Sequence, residues 1–407
     1  MSAPRTILCL ASFFKGGEFI REAARLGARV VLLTRAKLSD RDWPRECLAG
    51  FCTFDERPSP RVYRDLALRA TAGLAVDAVV ALEEYDVVSA AVVREALGVP
   101  GMGAGAARLF HDKLAMREWA RSIGLLAPEF IHVASPEAVA GFLQHVPGPW
   151  MLKPRIGASA MGMRYVETAD AAWSALAEIQ SRDDAEYPVE HYLVEQYVAG
   201  DVYHVDALTA GGALVFESVE RYGRPPFDVV SGGGIATSHT VRRGSDDERQ
   251  LLALNRRVLE AGEFASGVTH VEFIKRRDDG RFYFLEAAAR VGGAYTAETV
   301  EAATGVNLWT EWARIETATP QRPYAAPRTA FGYGGVAVSL AREEFPDTSA
   351  YDDAEIVFRV RLANHVGLVV ASASYDRVVA LVDEYSHRFA VDFMATAPLE
   401  ETPGRYL

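Results

Sequence analysis

Over the first hundred positions, continuous apolar runs alternate with stretches of helical period. Thr6–Ser12 (TILCLAS) reads as a buried strand and residues 17–26 as a helix; Ala28–Arg35 (ARVVLLTR) reads as a second strand. A short strand near Phe51–Phe54, a helix over about 61–71, a strand at Asp77–Glu84 and a helix at 86–97 follow. Strands that alternate with helices imply a parallel sheet wound by crossover connections, and unbroken apolar strands imply a sheet covered on both faces. Gly98–Gly105 (GVPGMGAG) punctuates the end of this unit.

The pattern then changes. A helix carrying Lys113, Met116, Arg117 and Trp119 ends near Gly124, and Pro128 blocks its continuation. A strand comes next, then a helix near 135–143 with Ser135 suited to its N-cap and Pro136 to its first position. Pro149–Val166 reads as strand, glycine-containing loop and strand, and 169–180 as a helix. Residues 191–223 are strand-rich with a Gly211-Gly212 hairpin, Ser231–His239 is expected as a mobile loop, and 246–261 as a helix. A hairpin spans 268–289. Strands near 332–340, 355–362 and 367–373 with a helix over about 375–387 make a small α+β cap.

Composition narrows the classes. The chain has 407 residues, enough for two to four domains or subdomains. Hydrophobic content of 49% and charged content of 24% suit a globular protein. A net charge of −12 argues against non-specific nucleic-acid binding but leaves room for a local basic cluster. The three cysteines, Cys9, Cys47 and Cys52, have no spacing of a disulfide framework or zinc site. Thr6–Phe14 is short, is followed by Lys15-Gly16-Gly17 and lacks a leader's flanks. No apolar run reaches the roughly 20 residues of a membrane helix. The expectation is a cytoplasmic protein without membrane or nucleic-acid partners.

Candidate chemistry begins in the hairpin VTHVEFIKRRDDGRFYFLEAAAR. A three-residue connection, Asp278-Asp279-Gly280, places residue 277 opposite 281 and Glu272 opposite Glu286, with Cβ atoms about 5 Å apart. Ile274 and Phe284 are expected on the same face, and Val271, Phe273, Tyr283, Leu285 and Ala287 on the other. Facing like charges destabilise a bare sheet, and a shared divalent cation removes the repulsion; two solvent-screened glutamates are the alternative. Arg290 and Gly292-Gly293 just beyond favour the cation, because arginine stabilises charge developed in phosphoryl transfer.

Upstream, Lys153 ends an apolar strand, Pro154 stops regular pairing, and Gly157–Gly162 is rich in small residues. Such a loop can aim backbone N–H groups at phosphate oxygens while the lysine adds a point charge. It is neither a Walker A motif nor a dinucleotide fingerprint, and a simple turn is the alternative. Lys113 is a candidate second phosphate contact. Tyr192–Gly200 (YLVEQYVAG) leads a strand into Glu195-Gln196-Tyr197-Val198, whose backbone could meet an adenine edge.

The ordered set HDKLAMREWARSIGLLAPEF, WMLKPRIGASAMGMRYV, LVEQYVAGDVYHVD, HVEFI and FLEAAARVGG resembles the ATP-grasp superfamily, on its carboxylate–amine ligase side. The resemblance covers roughly residues 105–318. It implies an N-terminal Rossmann-like parallel-sheet α/β domain over 1–105, a two-lobed ATP-grasp fold over 106–318 with its small lobe about 125–196, and the α+β cap over 319–407. It implies ATP and Mg2+, with Mn2+ as a substitute. Lys113 and Lys153 would hold phosphates under a flexible loop containing Gly157, Ser159 and Gly162. Glu195, Gln196 and Val198 would meet adenine. Glu272 and Glu286 would bind the metal. Arg290 would stabilise an acyl phosphate and tetrahedral state, over a substrate floor shaped by Gly292 and Gly293. The implied reaction joins a small carboxylate to a small amine, free amino acids first, with release of ADP and phosphate.

Two departures qualify the match. Many relatives carry asparagine where Ala288 stands; His270 faces Ala288 in the expected register and lies either near that gap or packed in the core. Many carry a ribose-binding glutamate at Val202, for which Asp201 or Asp206 are candidate replacements. Arg221, Tyr222, His204 and His239 flank the expected pocket as candidate substrate contacts, arginine suiting a carboxylate. A carboxylase acting through carboxyphosphate and a non-catalytic nucleotide-binding regulatory module are the competing readings. A homodimer is expected from the resemblance, and the cap either closes the site or forms an interface.

Overall fold

The computed structural model describes residues 4–55, 59–158, 160–181 and 188–395. Three sheets organise them. The first is parallel, in the spatial order Leu48–Phe54, Arg29–Arg35, Thr6–Ala11, Ala78–Ala81. Every residue of Thr6–Ala11 is buried, as its unbroken apolar run requires. Helices Gly17–Arg25, Pro60–Ala70 and Val87–Leu97 belong to this unit.

The second sheet is antiparallel, ordered Phe130–His132, Tyr192–Gln196, Trp150–Pro154, Arg164–Val166. Helices Pro136–His145 and Ala169–Gln180 cover one face through Val139, Leu152, Ala172, Leu176 and Val194. Ser135 caps the first helix by accepting from the Ala138 N–H, with proline following, as its sequence indicates. Thr168 caps the second in the same way.

The third sheet has eight strands, ordered Phe282–Ala288, Gly267–Arg276, Gly200–Ala210, Ala213–Tyr222, Ala236–Thr240, Tyr333–Leu340, His365–Ser372, Ile356–Arg359. The strands expected as a separate cap extend this sheet. The join is Ala236–Thr240, which pairs with Ala213–Tyr222 on one side and Tyr333–Leu340 on the other. Ser231–His239 is therefore not the loop expected from its glycines: it holds the end of helix Pro226–Gly232 and most of a central strand. One of its two neighbours, Tyr333–Leu340, comes from about a hundred residues away, so the local pattern is overridden. No helix among the described residues is long and apolar enough to cross a membrane.

Strand Gly200–Ala210 lies beside the hairpin that carries the paired glutamates. A Cβ at Gly200 would stand 2.1 Å from the Lys275 carbonyl oxygen, a backbone atom that cannot swing aside. Gly200→Ala is expected to destabilise the protein by about 1–3 kcal/mol, the usual range for overpacking. Urea unfolding checks this; an unchanged midpoint would show that the two strands part without cost.

Candidate active site

Glu272 and Glu286 are directly paired, and both face a cavity of about 350 Å3. The local route differs from the expected one. The turn has four residues rather than three, with Arg276 and Arg281 closing it, which pairs Lys275 with Phe282 and Phe273 with Phe284. A bulge at Leu285 then restores the register. The extra turn residue and the bulge cancel at the glutamates but not before them. Phe284 packs in the core with Phe273 and Trp119, whereas Leu285 lines the cavity and Tyr283 packs on the Val198 side with it. Without the bulge, the one-residue slip would turn Glu286 into the core.

Cations approach the acids from the other elements. Lys113 Nζ donates to the Gly157 carbonyl at 2.7 Å and stands 3.2 Å from Glu286 Oε2, so it ties the glycine loop to the acidic pair. Its helix starts at the Asp112 cap, itself held by Arg155 at 2.5 Å. Lys153 Nζ lies 2.6 Å from Glu195 Oε2, and Arg117 Nε lies 2.6 Å from Glu195 Oε1. Both Glu195 and Arg117 are almost wholly buried. Burial pushes the Glu195 carboxyl up, but Arg117 and Lys153 outweigh it and hold the value below the ordinary range. Burial lowers the Lys153 ammonium, with Glu195 opposing. The Glu195 side chain is thus committed to cations. Gln196, Tyr197 and Val198 line the cavity together with Met151 and Met163, a largely apolar wall of the kind that small-molecule sites use. Ser159 lies outside the described residues, while Gly157 lines the cavity and Gly162, at φ +68°, packs on Pro154.

Arg290 enters the cavity beyond the hairpin, where Ala294 and Tyr295 adopt φ of 50° and 63°. Two adjacent non-glycine residues in the left-handed region are strained, a feature that concentrates at functional sites. Arg290 Nε donates to Glu84 Oε2 at 3.0 Å and Nη1 to its neighbour's carbonyl. Glu84 also meets His111 at 3.3 Å. Burial acts to raise Glu84, but the His111 hydrogen bond and the charges of Arg290 and Lys113 bring it down to about 2. Sequence reasoning missed Glu84 and Arg117. A usable signal existed for Glu84: consecutive acids just past the carboxyl end of a parallel strand, where α/β sheets place ligand groups. Arg117 had none beyond sharing a helix with Lys113.

Behind Glu272 lies a buried chain of polar groups. Tyr222 Oη donates to Glu272 Oε1 at 3.0 Å, and His270 Nε2 is 3.3 Å from the same oxygen. His270 Nδ1 meets Asp206 Oδ1 at 2.9 Å, and Asp206 Oδ2 meets His204 Nδ1 at 2.6 Å. Burial disfavours the charged His270 ring, but Asp206 and Glu272 outweigh it and raise it to about 10; burial lowers His204. His204 packs against Tyr222, ring centres 4.6 Å apart and planes tilted by 40°, and does not line the cavity. Arg221 points to the opposite sheet face, as alternation demands, and pairs with Asp201 at 2.8 Å. His239 packs against Tyr375. Of the candidate substrate contacts, Tyr222 and Gly293 therefore line the cavity, and Arg221, His204 and His239 do not. Gly292 sits against His270. The ribose-acid candidates also lie elsewhere: Asp206 is fully buried and Asp201 is paired with Arg221. Val202 itself lines the cavity, packed with Val198 and Ile274.

Two facing carboxylates, two inward lysines and an anchored arginine around one cavity suit a hard divalent cation and a polyphosphate. The comparisons agree with this chemistry. Residues 146–298 match the family model described as an ATP-grasp domain. The chain is 23% identical over 239 residues to an L-arginine-specific L-amino acid ligase of Bacillus subtilis, covering 57% of this chain and 56% of the relative. It is 24% identical over 275 residues to an alanine–anticapsin ligase of the same organism, covering 62% and 56%. The chain thus spans about half the length of the curated relatives it matches. Among solved structures, the L-amino acid ligase from Bacillus licheniformis superposes with a TM-score of 0.76 at 16% identity, over 97% of this chain and 99% of that one. The N5-carboxyaminoimidazole ribonucleotide synthetase from Thermus thermophilus does so at 0.71 and 19%, over 97% and 100%.

Proposed function

We propose that this chain, which carries an ATP-grasp domain over residues 146–298, is an ATP-dependent carboxylate–amine ligase. It joins two small molecules, free amino acids first among them, by an amide or peptide bond, and releases ADP and phosphate. The observation that carries the reading is the Glu272–Glu286 pair facing one cavity with Lys113, Lys153 and Arg290.

Glu272 and Glu286 would hold Mg2+, or Mn2+ in its place; when bound, the cation neutralises charge between the phosphates. Lys113 and Lys153 hold phosphate oxygens, and the loop around Gly157 and Gly162 covers them. Residues 195–198 present the adenine slot. The acid substrate's carboxylate attacks the γ-phosphorus, and the amine then displaces phosphate from the acyl phosphate. Arg290 suits both steps. Glu84 and the Val291 carbonyl fix its plane through Nε and Nη1, which leaves Nη2 to donate to oxygens that gain charge. Most of the catalysis is positioning and charge stabilisation. Gly293 and Tyr222 bound the substrate end. A cytoplasmic homodimer without nucleic-acid partners completes the proposal.

The test is ADP release by the purified protein with Mg-ATP, against pooled amino acids, other small carboxylates and amines, with mass spectrometry of the products. A product mass equal to acid plus amine minus water is the expected result. ADP release that depends on bicarbonate would turn the reading to a carboxylase. ATP binding without ADP release in any pool would turn it to a regulatory module.

A further inference from the structure

Glu272 and Glu286 supply two oxygen donors, and Ala288, two residues beyond and on the same face, supplies none. Directly across the ladder from Ala288 stands His270. It is only 4% exposed, yet it lines the cavity with the two glutamates. The small side chain of Ala288 leaves the ring its space. Gly292 does the same from below, since a Cβ there would stand 2.8 Å from His270 Nδ1.

The distances specify which nitrogen faces what. Nδ1 is 2.9 Å from Asp206 Oδ1, an ordinary hydrogen bond. Asp206 is fully buried and its other oxygen is taken by His204 at 2.6 Å, so it is a fixed acceptor. His204 is held in turn by Ser238 at 3.0 Å. A carboxylate behind an imidazole keeps a proton on the near nitrogen, so a cation arriving beside Glu272 displaces only the Nε2 proton and meets that nitrogen's lone pair, the arrangement that orients metal-binding histidines. The far nitrogen, Nε2, is 3.3 Å from Glu272 Oε1. That is long for a charge-assisted hydrogen bond, about 2.7–2.9 Å. It is close to the separation of two neighbouring donors on one ion, about 3 Å for bonds of about 2.1 Å at right angles. His204, Asp206 and His270 also lie close enough together to suggest an ion of their own. Their 2.6 and 2.9 Å contacts are hydrogen-bond lengths, however, and both Asp206 oxygens are used. They support His270 rather than form a second site.

We propose that His270 Nε2 is a direct ligand of the divalent cation held by Glu272 and Glu286, occupying the place for which Ala288 offers no donor. One nitrogen among oxygen donors shifts preference from Mg2+ toward Mn2+ and the later divalent metals, because imidazole suits those ions and an all-oxygen shell suits Mg2+. The inference rests on the reading of Glu272 and Glu286 as the metal carboxylates.

The test is pulsed electron paramagnetic resonance of the full chain with Mn2+ and ADP, prepared with natural-abundance or 15N-labelled histidine. The expected result is a directly coordinated imidazole nitrogen whose coupling changes with the histidine label, which separates it from adenine nitrogen. The chain has nine histidines, and His270→Gln assigns the signal by removing it. In the same variant Mn2+ affinity is expected to fall about tenfold or more, with a smaller loss for Mg2+. Glu286-dependent Mn2+ binding without any histidine coupling overturns the inference and leaves the reading of the acids standing. Mn2+ binding that Glu286→Gln does not weaken overturns both. The isotope comparison uses wild-type protein, so the result does not depend on the folding of His270→Gln.

Discussion

Glu286→Gln will abolish Mg2+-dependent ATP turnover, a fall of about a thousandfold or more in kcat, while the melting temperature stays within about 2 °C of wild type. The asymmetry follows from where Glu286 sits. Its side chain is 22% exposed at the cavity wall and stands 3.2 Å from Lys113. Glutamine is isosteric and keeps a carbonyl oxygen to which Lys113 can still donate, so the cost is that of one weakened hydrogen bond, about 1 kcal/mol. Lys113 keeps its bond to the Gly157 carbonyl, so no buried cation is stranded. Neutralising one of two facing carboxylates also relieves their repulsion. In the proposed reaction the same carboxylate holds the cation that neutralises the transferred phosphoryl group. Removing even one group that stabilises transition-state charge typically costs about 10²–10³ in rate. Coupled ADP release and a thermal melt on the same preparation check both halves. Retained turnover would remove Glu286 from the metal site; a large loss of stability would make it a structural residue.

Arg117→Met will destabilise the fold by about 3–5 kcal/mol, the cost of breaking a buried ion pair from one side. Arg117 is fully buried, 2.6 Å from the buried Glu195, and its Nη1 donates to the Leu285 carbonyl at 2.5 Å. Methionine keeps an unbranched apolar stem but leaves Glu195 with Lys153 alone. The Leu285 carbonyl belongs to the bulge that turns Glu286 into the cavity, so KM for ATP is expected to rise as well. The companion variant Arg117→Met/Glu195→Gln should be more stable than the sum of the single changes predicts, because the Arg117–Glu195 contact is lost in each single variant and is counted twice in that sum. Denaturant unfolding of all three variants checks this. Additive losses, or an Arg117→Met midpoint equal to wild type, would show that the pair is not coupled.

The paired glutamates were legible for a partly accidental reason. A three-residue turn predicts Glu272 opposite Glu286, whereas the chain makes a longer turn and corrects it with the Leu285 bulge. The acids face each other as expected, but the side chains between them and the turn do not. Phe284 moves to the core because its ring has Phe273 and Trp119 to pack against. A sequence pattern counts residues; a bulge is selected by what packs on each face.

The ribose candidates Asp201 and Asp206 and the substrate candidates Arg221, His204 and His239 lie away from the cavity on similar grounds, whereas Tyr222 and Gly293 line it. Alternation puts Arg221 and Tyr222 on opposite faces, yet which face holds the cavity depends on the lobe that covers it. Asp206 and His204 look like available polar groups in the sequence, and the structure uses them against each other beneath the sheet.

Elements that rest on local chemistry were readable from the residues alone. The buried parallel strands follow from unbroken apolar runs. The Ser135 cap follows from a side-chain oxygen reaching a free N–H, and Lys153 ends its strand's apolar run. The partners of the charged groups came instead from the folded arrangement. Glu84 meets Arg290 across 206 positions, Arg117 meets Glu195, and Ala236–Thr240 joins the last strands to the central sheet. The physical reason is burial: a charge out of water must find an opposite charge or a hydrogen bond within a few ångströms. Which group stands there is set by how whole lobes pack, a property no local window of sequence contains.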